Sequence, residues 1–162
     1  MEIEQRKFNN KIAQNIEDFF IAALAREICS RDQYNFCFSK PMLDDAGYDM
    51  VFDCAGTIKL IQIKTMVQGG STSSWKVKKD FLERDQAIVI VIIYDIDKWE
   101  IKSFLCCSPK RKKVDVQNLS PAKHAKCNAD GIKLIRPEQV NLPEDKFDGI
   151  ACIKDVCDYI MQ

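Results

Sequence analysis

Apolar residues recur at helical spacing early in the chain. Ile12, Ile16, Phe19, Phe20, Ala23, Leu24 and Ile28 share one face of a helix expected over residues 8–31, with Asn9 or Asn10 placed to cap its start. Residues 34–39 alternate as a strand does, and Pro41 ends that run. Residues 48–54 and 57–66 are two further strand-like runs around Ala55-Gly56, the pattern of a β-hairpin. Residues 68–74 are a polar, flexible loop, and residues 78–84 predict a short helix. Ala87 to Tyr94 is continuously apolar, as suits a strand buried on both faces. Another strand is expected over 98–107, a basic loop with some helix over 110–126, and a short strand over 131–135 before Pro137. The chain closes on a helix over 150–161, with Ile150, Ile153, Val156, Cys157 and Ile160 inward. The order of these elements predicts an α/β fold, a central mixed sheet flanked by helices, in a single domain.

The hairpin also carries candidate chemistry. With Ala55-Gly56 as a two-residue turn, Asp49 falls opposite Gln62. Period-two alternation puts Asp49, Val51, Asp53, Ile58, Leu60, Gln62 and Lys64 on one face. A carboxylate, a carboxamide and a lysine then gather at the open end, an arrangement that a one-residue slip would destroy. Such groups suit phosphodiester hydrolysis. Asp49 offers an oxygen ligand to Mg²⁺ or Mn²⁺, and the Gln62 side-chain and Ile63 backbone carbonyls could add two more. Lys64 could position water or balance charge in the transition state. Glu17 in the first helix is the expected second carboxylate, with Glu27 further along as the other option.

Composition narrows the remaining classes. The chain has 162 residues, 46% of them apolar, which excludes disorder as the main state. No apolar run is long enough to cross a bilayer, and the N-terminus lacks the basic-then-apolar plan of a secretory signal. An intracellular, cytoplasmic protein without a membrane partner is therefore expected. Most of the eight cysteines, among them Cys29, Cys54, Cys152 and Cys157, sit among apolar neighbours and then read as small hydrophobes. Cys106, Cys107, His124 and Cys127 have the right atoms for zinc, but Cys106 and Cys107 would point to opposite faces of a strand, so zinc is not expected. The zero net charge conceals a basic stretch: residues 98–136 carry 10 basic and 3 acidic groups. No GxGxxG, GxxxxGK[ST] or GxSxG motif occurs.

Helix-borne Glu17, then Gly47-Tyr48-Asp49, then Ile61-Gln62-Ile63-Lys64 resembles the PD-(D/E)xK nuclease superfamily. That superfamily includes restriction endonucleases, Holliday-junction resolvases and some intron homing endonucleases. The resemblance runs from the first helix to about Tyr94. It implies a restriction-endonuclease-like mixed sheet, with Glu17 as the helical acid, Asp49 as the metal-binding acid, and Gln62 and Lys64 in the (D/E)xK element. Gln62 stands where the family usually has an acid, and a QxK form occurs in some active members. Tyr48 replaces the family proline. The chain is also similar to uncharacterised bacterial proteins sharing Phe-Ser-Lys-Pro, Gly-Tyr-Asp and Ile-Gln-x-Lys elements, here Phe38 to Pro41, Gly47 to Asp49 and Ile61 to Lys64. The implied activity is that of a Mg²⁺- or Mn²⁺-dependent endonuclease acting on DNA, with RNA not excluded and a homodimer possible.

Cationic residues fill out the expected nucleic-acid surface. Trp75 could stack on a base, with Lys76, Lys78 and Lys79 on phosphates. Lys110, Arg111, Lys112 and Lys113 form a run of four cations, and His124, Lys126 and Arg136 offer further donors. Two rival readings share these residues: a nuclease-fold module that binds without turnover, and a protein-interaction factor of the effector or immunity type.

Overall fold

The computed structural model describes residues 2–43 and 45–162. Helix α1 spans Glu2–Ser30, followed by strands β1 (Phe36–Ser39), β2 (Met50–Cys54), β3 (Thr57–Val67) and β4 (Ser74–Lys78). Helix α2 (Lys79–Leu82) leads to β5 (Ala87–Asp95) and β6 (Glu100–Cys107). Strands β7 (Pro121–Lys123), β8 (Ile135–Pro143) and β9 (Asp148–Ile150) precede helix α3 (Ile153–Met161).

The expected central sheet is present. Its order is β1-β2-β3-β5-β6-β9, and the β3–β5 pair is parallel whereas its other pairs are antiparallel. Ala55 and Gly56 have φ of +50° and +87°, the left-handed pair that a tight hairpin turn demands. The register follows: Met50 faces Ile61, Val51 faces Leu60, and Cys54 faces Thr57. In β5, Ile88, Ile90 and Ile92 enter one core, while Ala87, Val89 and Val91 enter the other. This is why its apolar run is unbroken.

Helices α1 and α3 cover one face. Ile12, Ile16, Phe20, Leu24 and Ile28 pack on Met50, Phe52, Ile61, Ile63 and Phe104, joined by Val156, Cys157 and Ile160. A second sheet, β4-β8-β7, covers the other face. Its Trp75, Val77, Val140 and Leu142 meet Phe81, Val89 and Val91. The molecule therefore has three layers. Adjacent Cys106 and Cys107 are split between the two cores, as alternation requires.

Several boundaries differ from expectation. Helix α1 runs through Asn9 and Asn10 back to Glu2, because Glu, Gln, Arg and Lys there are good helix formers. Strand β4 begins at Ser74, within the expected loop, ends at Lys78, within the expected helix, and pairs with distant β8. Pro137 lies inside β8. There β7 pairs only with Ile135, Arg136 and Val140, and the bulge between them needs no N–H from proline. Ile150 belongs to β9, and α3 begins three residues later.

Candidate functional site

The site lies where β2 stops. Regular pairing ends at Met50–Ile61, and the Asp49 N–H donates to the Ile61 carbonyl at 2.9 Å. The Asp49 side chain then reaches back to β3. Its Oδ2 accepts from the Ile63 N–H and from Gln62 Nε2, both at 2.6 Å. Two short bonds to one oxygen hold that carboxylate in place. Gly47 has φ of +84°, and a Cβ there would lie 3.1 Å from Phe81 Cβ and 3.2 Å from Lys78 Cβ. Only glycine fits that close approach, so Gly47 sets the path of the chain into Asp49.

Past Ile61, β3 has β5 on one side and no regular β2 pairing on the other. A cleft of about 360 Å³ follows this stretch of β3. Glu17 lines it from α1, Ile63, Lys64 and Thr65 from β3, and Trp75 from the second sheet. The layers thus contribute to one opening.

Glu17 is mostly buried, with 16% of its side chain exposed, and pairs with Lys40 Nζ at 3.1 Å. Burial raises its pKa above the ordinary glutamate value. Lys40 opposes this by hydrogen bond and charge, while the Asp49 charge adds to it. Glu17 and Asp49 therefore feel one another electrostatically. Glu27 instead binds Arg31 at 3.0 Å, and ten helical residues put it about 15 Å further along α1.

Lys40, in the Phe-Ser-Lys-Pro element, is a site neighbour that the sequence pattern does not reveal. Its ion pair joins the end of β1 to α1, a contact invisible in local spacing.

The donor set consists of two carboxylates, one carboxamide and one strand carbonyl. This oxygen-rich set fits Mg²⁺ or Mn²⁺, which commonly take one or two protein carboxylates and complete their shell elsewhere. Among the described residues no three His, Cys, Asp or Glu side chains cluster as a metal site.

The other candidates divide. Trp75 is 6% exposed and packs edge-on against Phe147 at 5.1 Å, so its ring is a core group and not a platform for an exposed base. Lys76 Nζ donates to the Lys123 carbonyl at 2.5 Å, and Lys78 Nζ to the Asp45 carbonyl. Lys79 opens α2 and is half-buried.

The run at 110–113 lies away from the cleft and is largely engaged by the protein itself. Lys110 pairs with Asp85 at 2.9 Å and Lys112 with Asp148 at 2.7 Å. Arg111 covers the Tyr159 ring at 4.0 Å and donates to the Tyr159 carbonyl at 2.8 Å. Its charge also reaches Lys59, whose pKa is lowered by burial first and by Arg111 second. Lys59 precedes Lys64 by five residues, roughly 16 Å of strand. His124, Lys126 and Arg136 cluster elsewhere, around the loop between β7 and β8.

No protein-family model matches the chain, and no curated protein matches it. Among solved structures, it is similar to a bacterial homing endonuclease, I-Ssp6803I, at 22% identity and a TM-score of 0.33. That similarity covers 59% of this chain and 59% of the length of that protein. No described helix is long and apolar enough to cross a membrane.

Proposed function

We propose that this chain is a metal-dependent endonuclease that hydrolyses DNA phosphodiester bonds at the cleft beside β3. One observation carries the reading. Asp49 is fixed against Gln62 and Ile63 at the end of the hairpin, and Glu17 and Lys64 line the adjoining cleft. The PD-(D/E)xK resemblance supports the same reading, since it implies a helix-borne Glu, then Asp, then a strand carrying QxK.

Glu17 and Asp49 would hold Mg²⁺ or Mn²⁺, aided by the Ile63 carbonyl and by Gln62. A half-turn of the Gln62 carboxamide exchanges its N–H for its carbonyl oxygen. When bound, the metal would polarise the scissile phosphate and acidify a water. Lys64 would hold the attacking water by hydrogen bond and offset negative charge growing on phosphorus-bound oxygens. Lys40 would serve as the counter-ion of Glu17 between turnovers. Its half-exposed side chain can swing into solvent when a metal takes its place beside Glu17.

A second reading, a nucleic-acid-binding module without turnover, draws support from the same contacts. Asp49 is met by Gln62 and Ile63, and Glu17 by Lys40. The test is incubation of the protein with supercoiled plasmid, single-stranded DNA and a branched junction, with Mg²⁺ or Mn²⁺. Lys64→Ala, Asp49→Ala and EDTA lanes run alongside. Cleavage lost in all three controls supports the nuclease. Salt-sensitive DNA retention without cleavage supports the binding module.

A further inference from the structure

Strands β7 and β8 end at Lys123 and Ile135, and the loop between them, residues 124–134, caps this hairpin as a ribbon held by a few backbone hydrogen bonds. Lys123 pairs with Ile135, and the His124 N–H donates to the Leu134 carbonyl at 2.8 Å. Further out, the Asn128 N–H donates to the Ile132 carbonyl at 2.8 Å. The tip is closed by the Asn128 side chain, which accepts from the N–H groups of Asp130 and Ile132 at 3.0 and 2.9 Å. Gly131 takes φ of +75° to complete the turn. The ribbon is thus ordered by its own hydrogen bonds.

Its side chains serve no core. Residues 123–135 are all exposed, including Ile132, Leu134 and Ile135 at 59%, 54% and 54%. Across residues 123–136, Lys123, Lys126, Lys133 and Arg136 are opposed by Asp130 alone. Unlike Lys110 and Lys112, none of these cations has an ion pair among the described residues. Arg136 Nε donates to His124 Nδ1 at 3.4 Å, so these two side chains meet at the ribbon base. Lys76 joins the ribbon to β4, bonding the Lys123 carbonyl, while neighbouring Trp75 lines the cleft of Glu17 and Lys64. One strand therefore borders both places.

We propose that this ribbon enters the major groove of double-stranded DNA. Its lysines would meet flanking phosphates, and its exposed apolar residues would meet base edges. The proposal rests on the nuclease reading for its biological sense, but not for its physical argument. The hairpin end is two strands wide where Ala122 and Lys123 pair with Arg136 and Ile135, a width that a B-DNA major groove of about 12 Å admits, and apolar side chains on its loop can contact thymine methyl groups. The deep, narrow major groove of duplex RNA excludes side chains. Single strands are held chiefly by aromatic stacking, and residues 121–136 contain no Phe, Tyr or Trp.

The test measures anisotropy of labelled duplex DNA, the matching single strand and the matching RNA duplex. Lys64→Ala protein in EDTA is titrated across salt, so that no probe is cut. Duplex DNA is expected to bind about tenfold or more tighter than either alternative. Adding Lys126→Ala and Lys133→Ala should reduce the slope of log affinity against log salt by about 2, near 0.9 for each phosphate contact. Adding Ile132→Ser and Leu134→Ser instead should weaken duplex binding with little change of slope. Unchanged circular dichroism in each variant excludes misfolding. Equal binding of the three probes, or a slope unmoved by the lysine pair, would overturn the proposal. Ribbon-dependent duplex binding by a protein that never cleaves would leave the ribbon standing and remove the nuclease. Lys64-dependent cleavage with ribbon-independent binding would do the reverse.

Discussion

Asp49 carries two loads, and substitution can separate them. Its Oδ2 accepts from Ile63 N–H and Gln62 Nε2 at 2.6 Å, at the end of the hairpin. Asp49→Ala removes both bonds. The Ile63 N–H belongs to a residue only 8% exposed, so water replaces that acceptor poorly. The half-buried Gln62 carboxamide recovers part of its loss from solvent. Bonds to charged groups are worth about 1.5–3 kcal/mol each, which puts the total near 2–4 kcal/mol. A domain of this size loses about 2–4 °C of Tm per kcal/mol, so the drop should be about 4–16 °C. Asp49→Asn keeps a carbonyl oxygen for the Ile63 N–H and should lose about 1 kcal/mol, roughly 2–4 °C. Both variants should lose at least about a hundredfold in plasmid cleavage, because both remove the proposed anionic metal ligand. Thermal unfolding in EDTA, read beside a nicking assay, checks the pair. Equal Tm losses in the two variants, or none in the alanine form, would refute the pinning role.

The other predictions concern charge. Lys64→Ala should lose roughly 10²–10³ in cleavage rate, because on the proposed reading this lysine stabilises the transition state. Normal cleavage would refute its role. Burial raises the Glu17 pKa, so the folded chain binds this proton more tightly than the unfolded chain does. That contribution favours folding below the unfolded pKa and fades as pH rises through the folded one. Glu17→Gln should therefore gain Tm over the native chain as pH increases from about 4 to about 8, while losing cleavage; a Tm deficit that widens with pH would contradict this. Arg111→Ala removes the Tyr159 contacts that fasten α3 and should cost about 1–2 kcal/mol, read as faster amide exchange in α3. Its effect on DNA affinity should stay below that of the ribbon lysines.

The hairpin was readable because its information is local. A tight turn and two alternating runs set the β2–β3 register, and that register sets Asp49 against Gln62. Strand β5 was readable because burial on both faces leaves a continuous apolar run. The second sheet was not. Trp75 and Val77 are its only buried positions in β4, and their partners Leu142 and Val140 lie more than sixty residues away. Local composition there reads as loop, which made Trp75 look available to a base. Pro137 looked like a stop because a bulge in a distant pairing is not written in its neighbours. The four-cation run looked like a phosphate surface because its partners Asp85, Asp148 and Tyr159 come from other elements. Free and engaged lysines have the same sequence signature, and only packing tells them apart.

The same electrostatics bear on Gln62. An acid at this position would face the Asp49 carboxylate where the carboxamide now donates to it at 2.6 Å. With Glu17 already acting on Asp49, three carboxylates would then share one partly buried site. Like charges so placed disfavour the ionised state unless a cation sits among them. Glutamine removes that repulsion and adds a donor that holds the Asp49 carboxylate in place. On the proposed reading, the consequence would be weaker metal binding in exchange for a site formed before metal arrives. Gln62→Glu should invert this balance. In EDTA at neutral pH it should unfold about 2–8 °C below the native chain, the effect of roughly 1–2 kcal/mol of repulsion and a lost hydrogen bond. Added Mn²⁺ should raise its Tm by more than it raises that of the native chain, because only binding to the folded state is rewarded. An equal Mn²⁺ response in both proteins would mean that Gln62 lies outside the metal's reach. The Asp49 contact would then serve only to hold the hairpin.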